Sequence, residues 1–244
     1  MEFLLLIVIG FATSFIGTLA GGGGLIGMPS MLVIGIPIHQ AIAAAKFSNM
    51  FSSFSSFFVL LRQKKIEWHK AVWLIPISLG GGITGGTIAS ALPEKTMTLI
   101  AIGLLSFALG LQLLKKQKND RQTSANIPKK LYPVLYGVGV YDGMFGPGQA
   151  TLLMYAYLRN GFEYLSAVAF TRFQTFLSCC GAFFTYLFAG HFNWQVAVFL
   201  AIGSLIGAQT SIRIANKLEK CHLQIILNTV TLLLIIQLVI KVAN

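Results

Sequence analysis

Long apolar runs separated by short basic connections constrain this chain more than any single motif does. Runs such as 99–114 and 225–242 are long enough to enter a bilayer as helices, which takes about 20 residues for a full crossing. Only 10% of the 244 residues are charged, 55% are hydrophobic and the mean hydropathy is +0.75. A soluble domain of this length needs far more charge to cover its surface. Strict alternation of apolar and polar residues is absent, which argues against a membrane β-barrel. A helix satisfies its own backbone hydrogen bonds in lipid, so the expectation is an all-α integral membrane protein with about eight hydrophobic segments. The apolar stretch after Glu2 has no basic region before it and no convincing cleavage site before Gly17. It reads as the first membrane element rather than as a signal peptide.

The net charge of +11 would suggest nucleic acid in a soluble protein. Here most basic residues fall in the connections, as they do in cytoplasmic loops of membrane proteins. The partners expected are therefore a lipid bilayer and a small ligand, with no nucleic acid.

The halves repeat. Shifting the chain by 126 residues brings Gly17 onto Gly143, Gly22 onto Gly148, Gly35 onto Gly161 and Lys46 onto Arg172. Phe47 meets Phe173, Phe57 meets Phe183, Trp68 meets Trp194 and Gly81 meets Gly207. Apolar helices match at Leu and Ile by chance, but not at Trp, Gly and an embedded cation in one register. The expected organisation is a first transmembrane repeat over 1–114, a polar cytoplasmic linker over 115–131 and a second repeat over 132–244. Each repeat opens with a Gly/Pro-broken, hairpin-like segment (3–36 and 132–158). Three helices follow: 40–61, 71–92 and 97–114 in the first half, and 165–187, 195–215 and 223–242 in the second.

The breaks are informative. Gly21 to Gly24 cannot form a stable helix interior, because each Gly costs about 1 kcal/mol relative to Ala. Pro29 follows, and the second half repeats the break as Gly143 and Gly146-Pro147-Gly148. Non-helical backbone at membrane depth is tolerated where it is buried in protein or lines a cavity, and matched breaks in two halves point to a transport site. The glycines at 80–82, 85 and 86 read instead as close helix packing.

Charge also bears on orientation. If the broken segments return to their starting side, 14 basic residues share one side against Lys95 and Lys241 on the other. If each crosses once, the division is 11 against 5. The positive-inside rule therefore favours two inverted-topology repeats.

Lys46 and Arg172 stand at equivalent places within apolar helices. An intramembrane cation is costly and is by default a functional hypothesis. Two of them beside broken helices, whose first N–H groups are free, make an anion site. The predicted substrate-binding residues are Lys46, Arg172, Gly22, Gly23, Gly24, Asn49, Gly148, Gln149, Thr171 and Thr175. The polar side chains supply the extra donors that an oxyanion needs. Ser53, Ser56 and Cys179 extend the same helix faces. Asp142 is the one acid expected at membrane depth, and its counterpart is Ile16. It either pairs with a cation or carries a proton for coupling. Replacing Lys46 or Arg172 by Ala should abolish transport while leaving insertion and expression intact. Cys179, Cys180 and Cys221 form no CxxC or Cys/His cluster, so no metal or cofactor is expected. His39, His69, His191 and His222 read as solvated residues at helix ends, and Trp68 and Trp194 as interfacial anchors.

The runs GTLAGGGGLIGMPSML, AAAKFSN, YDGMFGPGQATLLM and AFTRFQ resemble the TauE/SafE sulfite exporter family (TSUP permeases), and YDGMFGPG is similar to its YfcA-like branch. The resemblance covers essentially the whole chain. It implies a multi-pass permease of the bacterial inner membrane for sulfite, sulfonates, sulfoacetate, thiosulfate or related organic anions.

The function expected is thus a secondary transporter of small anions working by alternating access. Protons or sodium would serve as coupling ion, and the reading admits a homodimer. A passive anion channel is the alternative. An intramembrane enzyme is a third reading, because Tyr141-Asp142 is similar to the YD motif of intramembrane aspartyl proteases. Those need a second carboxylate to share the proton work, and none is expected at membrane depth here.

Overall fold

The computed structural model describes residues 2–20, 23–63, 71–114 and 127–214. Gly22, Trp68, His69, Cys221, His222, most of the linker and the expected last helix at 223–242 lie outside the described residues. Those described are all helical: α1 (Glu2–Ala20), α2 (Gly24–Val33), α3 (Ile38–Arg62), α4 (Leu74–Ser90), α5 (Glu94–Leu114), α6 (Tyr132–Met144), α7 (Gln149–Arg159), α8 (Tyr164–Phe188) and α9 (Trp194–Ile214). A single 3-10 turn, Lys129–Leu131, leads into α6. At the end of the expected linker, Ile127 and Leu131 are buried against the second half.

Local chemistry repeats at the 126-residue offset. α3 and α8 both have 25 residues and start one offset apart. Each follows a short helix that ends at a left-handed glycine, Gly35 (φ +94°) and Gly161 (φ +84°). Gly35 N–H donates to the Leu32 carbonyl and Ile36 N–H to Met31, while Gly161 N–H donates to Leu158 and Phe162 N–H to Tyr157. This is one C-terminal motif made twice, and only Gly adopts the required φ without strain. The next residues, Pro37 and Glu163, are extended and start the long helices.

α3 and α8, at 1.5 Å per residue, are about 37 Å long and exceed the hydrocarbon thickness of a bilayer. α2 and α7, with 10 and 11 residues, reach only about half of it. The first break falls after Ala20 and the second at Phe145–Gly148. Pro29, expected to contribute to the break, lies inside α2 and does not interrupt it. Gly143 likewise stays within α6.

α3 packs on α8 at the centre. α9 covers α3 and α1, and α4 covers α8 and α6. The offset converts the α9–α3 pair into α4–α8 and the α9–α1 pair into α4–α6, and returns α3–α8 to itself. Phe47 meets Phe183 (5.4 Å between ring centroids), Phe54 meets Phe176 (5.1 Å) and Phe57 meets Phe173 (4.7 Å). Rising numbers on α3 meet falling numbers on α8, so the two helices run antiparallel. Polar bridges also match: Ser48 Oγ donates to Ser204 Oγ (2.5 Å) between α3 and α9, and Gln174 Nε2 donates to Ser78 Oγ (3.0 Å) between α8 and α4. Small residues permit these approaches. A Cβ on Gly82 would strike the Ser178 carbonyl, and one on Gly85 the Val140 carbonyl, as expected for a glycine packing face.

Polarity is arranged inside out. Ser48, Ser52, Ser53 and Ser56 on α3 are buried, whereas Leu4, Trp73, Leu99, Phe188 and Ile206 are exposed. An apolar exterior around polar helix faces suits lipid as the solvent. Among the described residues, Tyr164–Phe188 and Trp194–Arg213 are both long and apolar enough to cross a membrane. α3 is as long, but its serines, Asn49 and Lys46 lower its hydropathy.

The expectation for the histidines needs one correction. His39 is buried at the start of α3, with its Nε2 2.9 Å from the Leu92 carbonyl oxygen and its ring stacked on His191 at 4.5 Å. The α4–α5 turn and the end of α8 fold over that helix start and exclude solvent.

Candidate functional site

The two breaks meet. A Cβ on Gly24 would lie 2.9 Å from Pro147 Cα, so the start of α2 and the loop before α7 touch through backbone. Around that contact lies a cavity with about 60 Å³ open to water centres. A water needs roughly 10–15 Å³ on that measure, so the space suits a few waters or one small ion. Its lining comes from both halves. Gly23, Gly24, Lys46 and Asn49 come from the first, and Asp142, Gly146, Gly148, Gln149, Arg172 and Thr175 from the second. Lys46 and Arg172 are each the ninth residue of a 25-residue helix.

The loop at 145–148 is held in place by side chains. Tyr141 Oη donates to the Pro147 carbonyl (2.5 Å) and Tyr186 Oη to the Met144 carbonyl (3.2 Å). Lys46 Nζ donates to the Asp142 carbonyl. These donors satisfy the Asp142 and Met144 carbonyls at the end of α6 and the Pro147 carbonyl in the loop, and a cation at that helix end also suits the helix dipole. Gly146 (φ +102°) passes so close that a Cβ would lie 2.6 Å from Lys46 Nζ. Gly148 (φ +83°) is the residue before α7.

The equivalent cations have different surroundings. Lys46 is 1% exposed and forms a salt bridge with Asp142 Oδ1 at 2.8 Å. Asp142 Oδ2 accepts from Ser178 Oγ (2.5 Å), with Cys179 Sγ at 3.6 Å. Arg172 is 7% exposed and borders the cavity, and no carboxylate among the described residues lies within ion-pairing distance of it. Thr175 Oγ1 lies 3.2 Å from Gln149 Oε1 and 2.8 Å from the Thr171 carbonyl, which orients Gln149 at the cavity wall.

The cavity thus brings together every predicted site residue except two. Gly22 lies outside the described residues. Thr171 is buried on α8 but does not border the cavity, and its hydroxyl has no partner. Ser53 and Ser56 also lie away from it, and Ser56 bonds the Ser52 carbonyl instead. Thr13, Ser48 and Ser204 do border it and were not anticipated. The Thr13 hydroxyl is buried without a partner. Periodicity from Lys46 could not find Thr13 and Ser204, because α1 and α9 reach the cavity through tertiary packing, and Ser48, two positions after Lys46 on α3, lies off its i+3/i+7 face. Among the described residues no group of His, Cys, Asp and Glu is arranged to hold a metal ion.

An apolar exterior, a buried charged centre and paired helix breaks define a membrane transporter as the class of protein. The sulfite exporter TauE/SafE family model matches residues 6–238, and the chain belongs to this family. A probable membrane transporter protein of Sinorhizobium sp. is 33% identical, over 86% of this chain and 82% of its own length. One from Haemophilus influenzae is 30% identical over 84% and 81%, and the probable membrane transporter YfcA of Escherichia coli is 24% identical over 86% and 79%. No solved structure matches. These relationships indicate a transporter and not an enzyme.

Proposed function

We propose that the chain is a multi-pass secondary transporter of the bacterial inner membrane that moves small sulfur-containing oxyanions by alternating access between two inverted repeats. The observation that carries this reading is Arg172. Among the described residues Arg172 has no carboxylate partner, a buried cation of that kind is expensive in a membrane, and here it borders a cavity between two helix breaks. An anion there would take the Arg172 fork. Gly24 and Ala150, in the first turns of α2 and α7, also border the cavity, where helix starts offer N–H groups to an anion, as do the side-chain donors of Asn49, Gln149 and Thr13. Lys46 flanks the site.

The cavity favours ions the size of sulfite or thiosulfate over the longer sulfoacetate. Support for inversion comes from α3 and α8, which are equivalent under the repeat, long enough to cross, and antiparallel. Two repeats related by an axis along the membrane normal would run these helices in the same direction. A gap between two halves that meet at touching backbone breaks also suits rocking of one half on the other.

Two measurements test the reading. A thermal-shift screen of the purified protein against sulfite, thiosulfate, sulfate, sulfoacetate and carboxylates should give the largest stabilisation with the small sulfur oxyanions. In proteoliposomes, unlabelled thiosulfate inside should accelerate uptake of labelled thiosulfate. Uptake with no such trans-acceleration would indicate a passive channel, and no anion-dependent stabilisation or uptake would remove the proposal.

A further inference from the structure

The ion pair beside the anion cavity gives the site a second charge state. Two cations and one carboxylate border the cavity. With Asp142 ionised, Lys46 is neutralised and Arg172 is the cation left for a ligand. With Asp142 protonated, Lys46 is released from its counter-charge and both cations face the cavity. We propose that Asp142 is the proton-coupling carboxyl of this site, so that a dianionic oxyanion binds together with one proton. The inference rests on the anion-transporter reading above and adds the coupling ion and the residue that carries it.

Ser178 supplies the geometry for the exchange. Its Oγ lies 2.5 Å from Asp142 Oδ2 and 3.0 Å from the Gln174 carbonyl oxygen. One hydroxyl proton therefore has both the carboxylate and a helix carbonyl within reach. While Asp142 is a carboxylate, Ser178 donates to Oδ2. Once a proton from the aqueous side has bonded to Oδ2, the new O–H donates to Ser178 Oγ, and the serine proton turns to Gln174. Each state leaves both groups hydrogen-bonded, so protonation strands no buried polar atom. Lys46 Nζ keeps the Asp142 carbonyl as an acceptor in both states, and its charge becomes available to the anion. Without a proton, a dianion must bind against the ionised carboxylate. With one, the site's two cations match the ligand's two charges.

The groups facing Asp142 are few. α3 contributes Lys46, α8 contributes Ser178, Cys179 and Tyr186, and α6 itself contributes Tyr141. α4 packs against α6 through glycines and carries no titratable residue. Among the described residues Asp142 is thus the carboxyl that can accept a proton at the cavity.

The test uses thiosulfate, which stays a dianion across the neutral range, so that any titration belongs to the protein. In proteoliposomes loaded with a pH-sensitive dye and held at fixed membrane potential, thiosulfate entry should acidify the lumen. Its apparent Kd should rise about tenfold per pH unit on the alkaline side, the slope for one linked proton. Asp142→Asn should remove both the acidification and the pH dependence of binding. Ser178→Ala removes the hydroxyl that donates to Oδ2 and should move the midpoint of that pH dependence. Thiosulfate uptake without acidification, or a pH-independent Kd in the unmodified protein, would overturn the coupling assignment and leave the transporter reading standing. An unmoved midpoint in Ser178→Ala would place the titrating group elsewhere and also overturn it. No uptake and no binding of any anion would overturn both.

Discussion

Lys46 and Arg172 occupy the same place in two copies of one pattern, yet they face different chemistry. The Lys46 head meets a carboxylate and a helix-end carbonyl, both from Asp142. Arg172 meets a cavity wall. The difference arises at a single position of the repeat, where Asp142 stands opposite Ile16. The 126-residue offset relates two cations, and one acid in the second half distinguishes their surroundings. On the function proposed above, Lys46 is the switchable cation and Arg172 the one that meets a ligand. In a bilayer this asymmetry matters, because a buried charge without compensation is tolerated only where something else, such as a substrate, can compensate it.

The largest effects should come from breaking the paired side. Lys46→Ala leaves Asp142 as a buried, unpaired carboxylate and should destabilise the protein by about 3–5 kcal/mol. Thermal unfolding in detergent would show it, and adding Asp142→Asn should restore much of the loss. The ion pair thus adds a stability cost to the expectation that Lys46→Ala leaves insertion and expression intact. A fully stable Lys46→Ala would mean that the pair contributes little.

Arg172→Ala should do the opposite: near-native unfolding, but thiosulfate binding weakened by about 10- to 100-fold, the range for losing a charged hydrogen bond. Retained thiosulfate stabilisation in that variant would remove Arg172 from the site. Gly146→Ala places a methyl group beside Lys46 Nζ at a positive φ and should cost about 1–3 kcal/mol. Gly137→Ala, inside α6 and with open space around it, serves as a control and should be nearly neutral or stabilising. Thr13→Ala, which removes a single neutral hydroxyl at the cavity, should weaken binding by only about 2- to 10-fold without changing stability.

Much of the fold was legible in advance because its determinants are local. The long helices were expected at 40–61 and 165–187 and extend over Ile38–Arg62 and Tyr164–Phe188. Their starts follow Gly35-Ile36-Pro37 and Gly161-Phe162-Glu163, which end one helix and begin the next by backbone preference alone. The Gly-rich breaks were legible for the same reason. Pro29 was not, since a proline inside a short helix is tolerated when packing over-determines the backbone, and residues 25–29 and 31 are all buried. His39 misled because its position at a helix start suggested solvent, whereas burial depended on where the α4–α5 turn and the end of α8 came to rest.

The sequence by itself determined the membrane character, the repeat, the positions of the breaks and the two embedded cations. Each of these depends on hydropathy, backbone freedom or spacing within a short stretch of chain. Only the tertiary structure decided which cation is neutralised, that the two breaks touch, and that Thr13 and Ser204 join the cavity. Those facts link residues as far apart as Lys46 and Asp142, 96 positions along the chain. A pairing of that kind is fixed by how helices pack, because burying a charge is favourable only beside the partner that packing delivers.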